Sequence, residues 1–174
     1  SLLERNDVKV VSIEHKLGTI ASPTCVLAFG DIEGASAELL AQENGGLKAM
    51  FTMMNNARLN VGIQGVAIAE RAYQQALKFS LTRMQGNSID GASEGTVAII
   101  DHPDVQRMLM DMKSRTEAMR ALSLYTANEL DLSKGALSEE ERYKAQENLD
   151  ILTPIVKAWC TDQGVLISST GVQI

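Results

Sequence analysis

The 174-residue chain is 45% hydrophobic and carries a formal charge of −6, with a pI near 4.9. That length builds one ordinary domain with a real core, and since no block of Lys and Arg stands out, a nucleic-acid partner or an anionic membrane surface has little electrostatic support. No apolar run reaches the roughly 18 residues of a membrane span, and Ser1-Leu2-Leu3-Glu4-Arg5 is no signal peptide, so the expectation is a soluble protein of the cytoplasm or of a similar organelle matrix.

The chain opens on two short runs rich in β-branched and aromatic residues, Val8-Lys9-Val10-Val11-Ser12-Ile13 and Cys25-Val26-Leu27-Ala28-Phe29, bounded by Gly18, Pro23, Gly30 and Gly34. They read as strands. A hairpin alone is a marginal sheet, so residues 1–43 are expected to be the end of a β domain whose other strands precede Ser1.

From Gly46 the period becomes helical. Leu47, Met50, Phe51 and Met54 stand at i, i+3, i+4 and i+7, and Val66, Ala69, Tyr73 and Leu77 carry a stripe on to about Gln85. A helix of that length spans roughly 57 Å and belongs in a bundle. Gly62 and Gly65 weaken its middle relative to alanine, so another helix or a ligand is expected close against the backbone there.

Residues 86–96, rich in Gly, Asn, Ser and Asp, read as a loop, and Pro103 then starts a second helix. Its apolar face is Val105, Met108, Leu109, Met112, Thr116, Met119 and Leu122, with Asp111–Arg115 and Lys113–Glu117 as i, i+4 pairs. The helix is expected to end near Leu132, at the break Ser133-Lys134-Gly135-Ala136. Ser138 and Glu141 form a capping box for a third helix, whose buried stripe is Leu149, Leu152, Val156, Trp159 and Leu166. Pro154 should kink or divide it. The fold class is therefore mainly α: a short β segment followed by an antiparallel bundle of long helices over residues 44–174. Three helices leave one side of a four-helix arrangement open, so a fourth helix or a partner subunit is expected to cover it.

Cys25 and Cys160 lie far apart with no His or Cys at ligand spacing, which suits two buried thiols in a reducing compartment rather than a disulfide or a zinc site. The methionines Met50, Met53, Met54, Met108, Met110, Met112 and Met119 read as adaptable core. No Gly-rich phosphate loop, metal-ligand cluster or Ser-His-Asp pattern is present, which sets aside kinases, zinc hydrolases and Rossmann oxidoreductases.

Several segments, in the right order, resemble the acyl-CoA dehydrogenase family. Glu14-His15-Lys16-Leu17-Gly18 followed by Ala21-Ser22-Pro23-Thr24-Cys25 is similar to the family's KLGxxxSxT segment. Leu39-Leu40 with Glu43-Asn44-Gly45-Gly46-Leu47 is similar to LLGEEGxGF, and Gly171-Val172-Gln173-Ile174 to the beginning of QxxGGxG. The wording SIEHKLG, FTMMNNAR, HPDV and ILTPIVKAW looks most like the bacterial branch that includes 3-methylmercaptopropionyl-CoA dehydrogenases.

The resemblance implies an FAD enzyme that removes a proton and a hydride from adjacent carbons of an acyl-CoA thioester, works as a homodimer or homotetramer, and passes electrons to an electron-transfer flavoprotein or similar acceptor. It implies that Asn55, Asn56, Ala57 and Arg58 contact the acyl-CoA, and that Arg83, Gln85, His102 and Gln173 contact the cofactor. No catalytic residue is expected in this chain. The family's base lies in a later YEGT-like segment or, in some members, immediately before the family arginine, where this sequence has Ala57. This stretch is thus expected to be inactive by itself, its last helix and C-terminal segment lying beyond Ile174. No metal is expected.

Plainer roles stand beside these. Arg58 could answer a structural carboxylate, Arg83 is also a cation at a helix C-terminus, which the dipole favours, and His102 sits where a helix begins. His15 suits a surface or strand position. Arg83-Met84-Gln85-Gly86 departs from the family's RxxFG in lacking the phenylalanine. The alternative function is a non-catalytic helical module for oligomerisation or binding on the same scaffold.

Overall fold

Strand propensity at the two ends of the first segment yields an antiparallel pair, β1 (Val8–Ile13) and β2 (Cys25–Phe29), in a computed structural model that describes residues 5–40, 42–91, 94–136 and 138–174. Val8 faces Phe29 and Ile13 faces Cys25, with a bulge between Val10 and Ser12. Short polar residues tie the segment after β2 back to the start of β1. Asn6 accepts the Ser36 amide at 2.9 Å and donates to the Ser36 carbonyl at 2.7 Å, and Asp7 Oδ2 accepts the amides of Ile32 and Glu33. Those two amides hold the Asp7 carboxyl below the ordinary carboxylate range.

The chain forms two compact units divided between Ala49 and Met50. The second is built on three helices, α1 (Gly46–Thr82, its first turn in the other unit), α2 (Pro103–Gly135) and α3 (Glu139–Gln173). The mainly α class expected from the sequence holds, as does the antiparallel order of successive helices. Between α2 and α3, Arg115 reaches Gln163 at 2.9 Å, Ser123 Oγ lies 3.7 Å from Cys160 Sγ, and Asn148 donates to Glu129 at 3.0 Å. One set of numbers rises as the other falls, so the two run antiparallel. Between α1 and α3 both sets rise. A β-carbon built on Gly62 meets Val156, one on Gly65 meets Cys160, and one on Gly171 meets Ala72. The close neighbour that Gly62 and Gly65 required is therefore the backbone of α3.

Leu59, Val66, Ala69, Ala76, Leu109, Met112, Met119, Val156, Cys160 and Ile167 form the core. Met112 and Met119 are fully buried, where their flexible side chains fill the gap between helices. The cap and pairs read from the sequence are present. Ser138 Oγ accepts the Glu141 amide while Glu141 accepts the Ser138 amide, Pro103 stands in the first turn of α2, and Arg115 and Lys113 meet Asp111 and Glu117.

Several expectations need correction. Leu47, Met50, Phe51 and Met53 are exposed, because the core within the second unit begins only at Leu59. Leu166 is exposed and Ile167 takes its place: the buried seam of α3 runs Leu149, Thr153, Val156, Cys160, Gly164, Ile167, with small and polar residues that a search for bulky apolar side chains passes over. Pro154 does not divide α3, which is continuous. The ring faces outward, and the Thr153 hydroxyl bonds the Leu149 carbonyl beside it at 2.7 Å. Cys25 is half-buried rather than buried. Finally, the loop expected over residues 86–96 has a strand at either end, β3 (Met84–Asn87) and β4 (Thr96–Ala98), so α1 stops at Thr82 and not at Gln85. The end of α2 also shifts, from Leu132 to Gly135.

Among the described residues, no helix is long and apolar enough to cross a membrane.

Candidate functional site

The Arg83 amide bonds the Phe79 carbonyl at 2.9 Å, the last helical bond of α1, and the Arg83 carbonyl accepts the Ile99 amide at 2.9 Å. This second bond brings the chain back after the β3–β4 pair, in which Met84 faces Ala98 and Asn87 faces Thr96. A single 3-10 turn, Ile99–Asp101, then leads to His102 and Pro103. Proline disfavours the helical region for the residue before it, and His102 is accordingly extended, with φ −80° and ψ 130°.

This connection gathers Arg83, Gln85 and His102 into one corner between the end of α1 and the start of α2. His102 Nε2 lies 2.7 Å from the Gln85 carbonyl oxygen. Arg83 Nη2 donates to Gln85 Oε1 at 3.5 Å, the long limit of a hydrogen bond. Among the described residues no carboxylate pairs with Arg83, whose side chain is exposed. The ion pair at the head of α2, Arg107 with Asp104 at 2.7 Å, does not include it. An exposed guanidinium fork with no carboxylate partner among the described residues is suited to an anion with several oxygens.

Gln173 does not join that hydrogen-bonded group. It is exposed in the last turn of α3. Its neighbours Val172 and Ile174 line, with Phe79 and Arg71, an open groove of about 500 Å³ between the C-terminal ends of α1 and α3.

The second candidate surface lies on the early turns of α1. Residues 51, 55 and 58 share one helix face by spacing. Along it the Arg58 guanidinium carbon stands 5.5 Å from the centre of the Phe51 ring, within cation–π range. Asn55 and Arg58 are half-buried, whereas Asn56 and Ala57 are exposed and turn to the other sides of the helix. The four residues named from the sequence therefore do not make one surface. Nor is there, among the described residues, a carboxylate on Arg58 of the kind weighed beforehand; the aromatic face takes that place. The contact of Phe51, expected only as core, spans two helical turns, beyond the i, i+4 spacing at which side-chain pairs are legible in a sequence. Gly86 was likewise missed. It has φ +74°, and a β-carbon there would stand 3.2 Å from His102 Nε2.

Residues 44–174 match the family model described as acyl-CoA dehydrogenase, C-terminal domain. The chain is 48% identical over 171 residues, 98% of its length, to the 3-methylmercaptopropionyl-CoA dehydrogenase of Ruegeria pomeroyi, and 37% identical over 174 residues, 97% of its length, to a butyryl-CoA dehydrogenase of Syntrophomonas wolfei. It spans 28% of the length of each. Among solved structures, one titled as the electron transferring flavoprotein of Acidaminococcus fermentans has a similar fold, with TM-score 0.70 and 24% identity over 96% of this chain and 38% of the other. The motifs, the helical architecture and these matches agree: the chain belongs to the acyl-CoA dehydrogenase family.

Proposed function

We propose that the protein carrying this chain is an FAD-dependent acyl-CoA dehydrogenase acting on an acyl-CoA thioester, and that these residues supply binding rather than the catalytic base. The observation that carries the reading is the Arg83 corner, where an exposed guanidinium with no carboxylate partner among the described residues stands beside Gln85 and His102. Its donor set fits a dinucleotide diphosphate, because a guanidinium fork matches phosphate oxygens in geometry as well as charge. Bound there, the flavin would supply the hydride acceptor.

Arg83 neutralises and orients the diphosphate, and Gln85 steadies the guanidinium. Gln173 approaches the same cofactor from the end of α3. On α1, Asn55 and Arg58 present polar groups to the acyl-CoA, with Phe51 holding the Arg58 side chain in place. Ala57 ends in a methyl group and accepts no proton, so the base for the α-proton comes from outside these residues, and the stretch by itself is inactive. A homodimer or homotetramer, and an electron-transfer flavoprotein or similar acceptor, complete the proposal.

The test is the visible absorption spectrum of the protein carrying this chain, before and after addition of 3-methylmercaptopropionyl-CoA, butyryl-CoA and longer thioesters. A flavin band that bleaches with one of them supports the dehydrogenase and ranks its substrates. A folded protein without flavin, or with flavin that no thioester bleaches, moves the reading to the non-catalytic helical module.

A further inference from the structure

We propose that His102 is a positioning residue, a latch that fixes the Arg83–Gln85 turn, and that it does so as the Nε2–H tautomer. A carbonyl oxygen only accepts, so the 2.7 Å contact between His102 Nε2 and the Gln85 carbonyl requires the proton on Nε2. In the neutral ring Nδ1 is then an acceptor, and the ring makes no cap bond to the first amides of α2. A ring in that state can take a hydroxyl or amino donor on Nδ1 and does not attract a phosphate, which separates its task from that of Arg83.

The surroundings hold the latch from both sides. His102 is kept extended by Pro103, and its own amide bonds the Ile99 carbonyl at 3.1 Å. The Ile99 amide in turn bonds the Arg83 carbonyl at 2.9 Å. His102 and Arg83 are thus joined twice, once through Ile99 along the backbone and once through the Gln85 carbonyl. Across the second joint lies Gly86. Its φ of +74° is one that L side chains adopt at a cost, and an added β-carbon would press on the imidazole at 3.2 and 3.3 Å. Glycine is needed here so that the ring can approach the turn. Without the ring the Gln85 carbonyl loses this partner, and the stretch from Arg83 to Gly86 is left to the Ile99 amide and the strand pairing at Met84 and Asn87.

That the aimed group is the flavin diphosphate rests on the function proposed above; the latch itself does not. The chain contains two histidines, so a long-range proton–nitrogen spectrum resolves the His102 ring, with the exposed His15 as reference. The expected result is a His102 ring that carries a proton on Nε2. His102→Phe should shift the Gly86 amide resonance and speed its hydrogen exchange, and His102→Gln, whose side-chain amide reaches the same carbonyl, should restore both. A His102 protonated on Nδ1 alone, or a Gly86 amide indifferent to His102→Phe, overturns the latch. In a parallel FAD titration, His102→Phe should weaken binding about tenfold and His102→Gln less than threefold. Absence of FAD binding by the wild-type protein would count against the proposed function and leave the spectra to decide the latch.

Discussion

The carbonyl oxygen of Cys160 lies so close to the α-carbon of Gly65 that a β-carbon added there would stand 2.4 Å from it. Gly164 completes the seam from the other helix, since its own added β-carbon would meet the Gly65 carbonyl at 3.2 Å. Two helix backbones this close leave no flexible side chain to move aside. Gly65→Ala should therefore destabilise the protein by about 1–3 kcal/mol or more through overpacking, although alanine alone favours helix. Urea unfolding followed by circular dichroism measures it. An unchanged or raised midpoint would mean that α1 and α3 are further apart than described.

The capping box at the head of α3 makes a smaller and cleaner prediction. Ser138→Ala should cost about 1 kcal/mol at neutral pH, with an unchanged denaturant slope. The Ser138 hydroxyl, and then its amide, hold the Glu141 carboxyl below its ordinary value. A depressed carboxylate contributes stability that is present above the unfolded-state pKa and lost as pH falls through the folded one. The difference between wild type and Ser138→Ala should accordingly shrink on acidification below about pH 4.3, the value of an unperturbed glutamate.

These two sites also show what could be read in advance. Ser138 and Glu141 are a local signal, complete within four residues, and the cap forms as expected. Gly62 and Gly65 announced a close neighbour, but its identity as α3 depends on chain nearly a hundred residues away, which no local pattern specifies. The β3–β4 pair was missed because Met84–Asn87 and Thr96–Ala98 are too short to show alternation and are held by neighbouring chain rather than by propensity. At the candidate site, motif resemblance brought out Arg83, Gln85 and His102 separately. Their meeting, and the part Gly86 plays in it, follow from a backbone reversal that only the fold supplies.

The two cysteines should differ sharply in reactivity. Burial pushes the Cys160 thiol above its ordinary value, with its hydrogen bond to Ser123 acting the other way, and its side chain has no exposure. Cys25 is half-buried. Iodoacetamide at pH 8 should modify Cys25 at least tenfold faster than Cys160, because the thiolate is the nucleophile, and mass spectrometry of partially labelled protein resolves the two. The raised Cys160 value has no effect on stability at neutral pH and lowers it above about pH 8.5, where the unfolded chain gives up its proton before the folded one does. A Cys160→Ala variant should lose this part of the alkaline decline.

Arg83 is the residue on which the functional account turns. The most direct measurement is the FAD affinity of the protein carrying this chain, compared with Arg83→Ala and Arg83→Lys after removal and titration of the flavin. The account predicts binding weakened about tenfold or more by Arg83→Ala, since a charge-assisted contact to phosphate is worth about 1.5–3 kcal/mol, and an intermediate loss for Arg83→Lys, which keeps the charge and lacks the fork. Equal affinity in all three proteins would contradict it, and would leave Arg83 as no more than a cation at the end of α1.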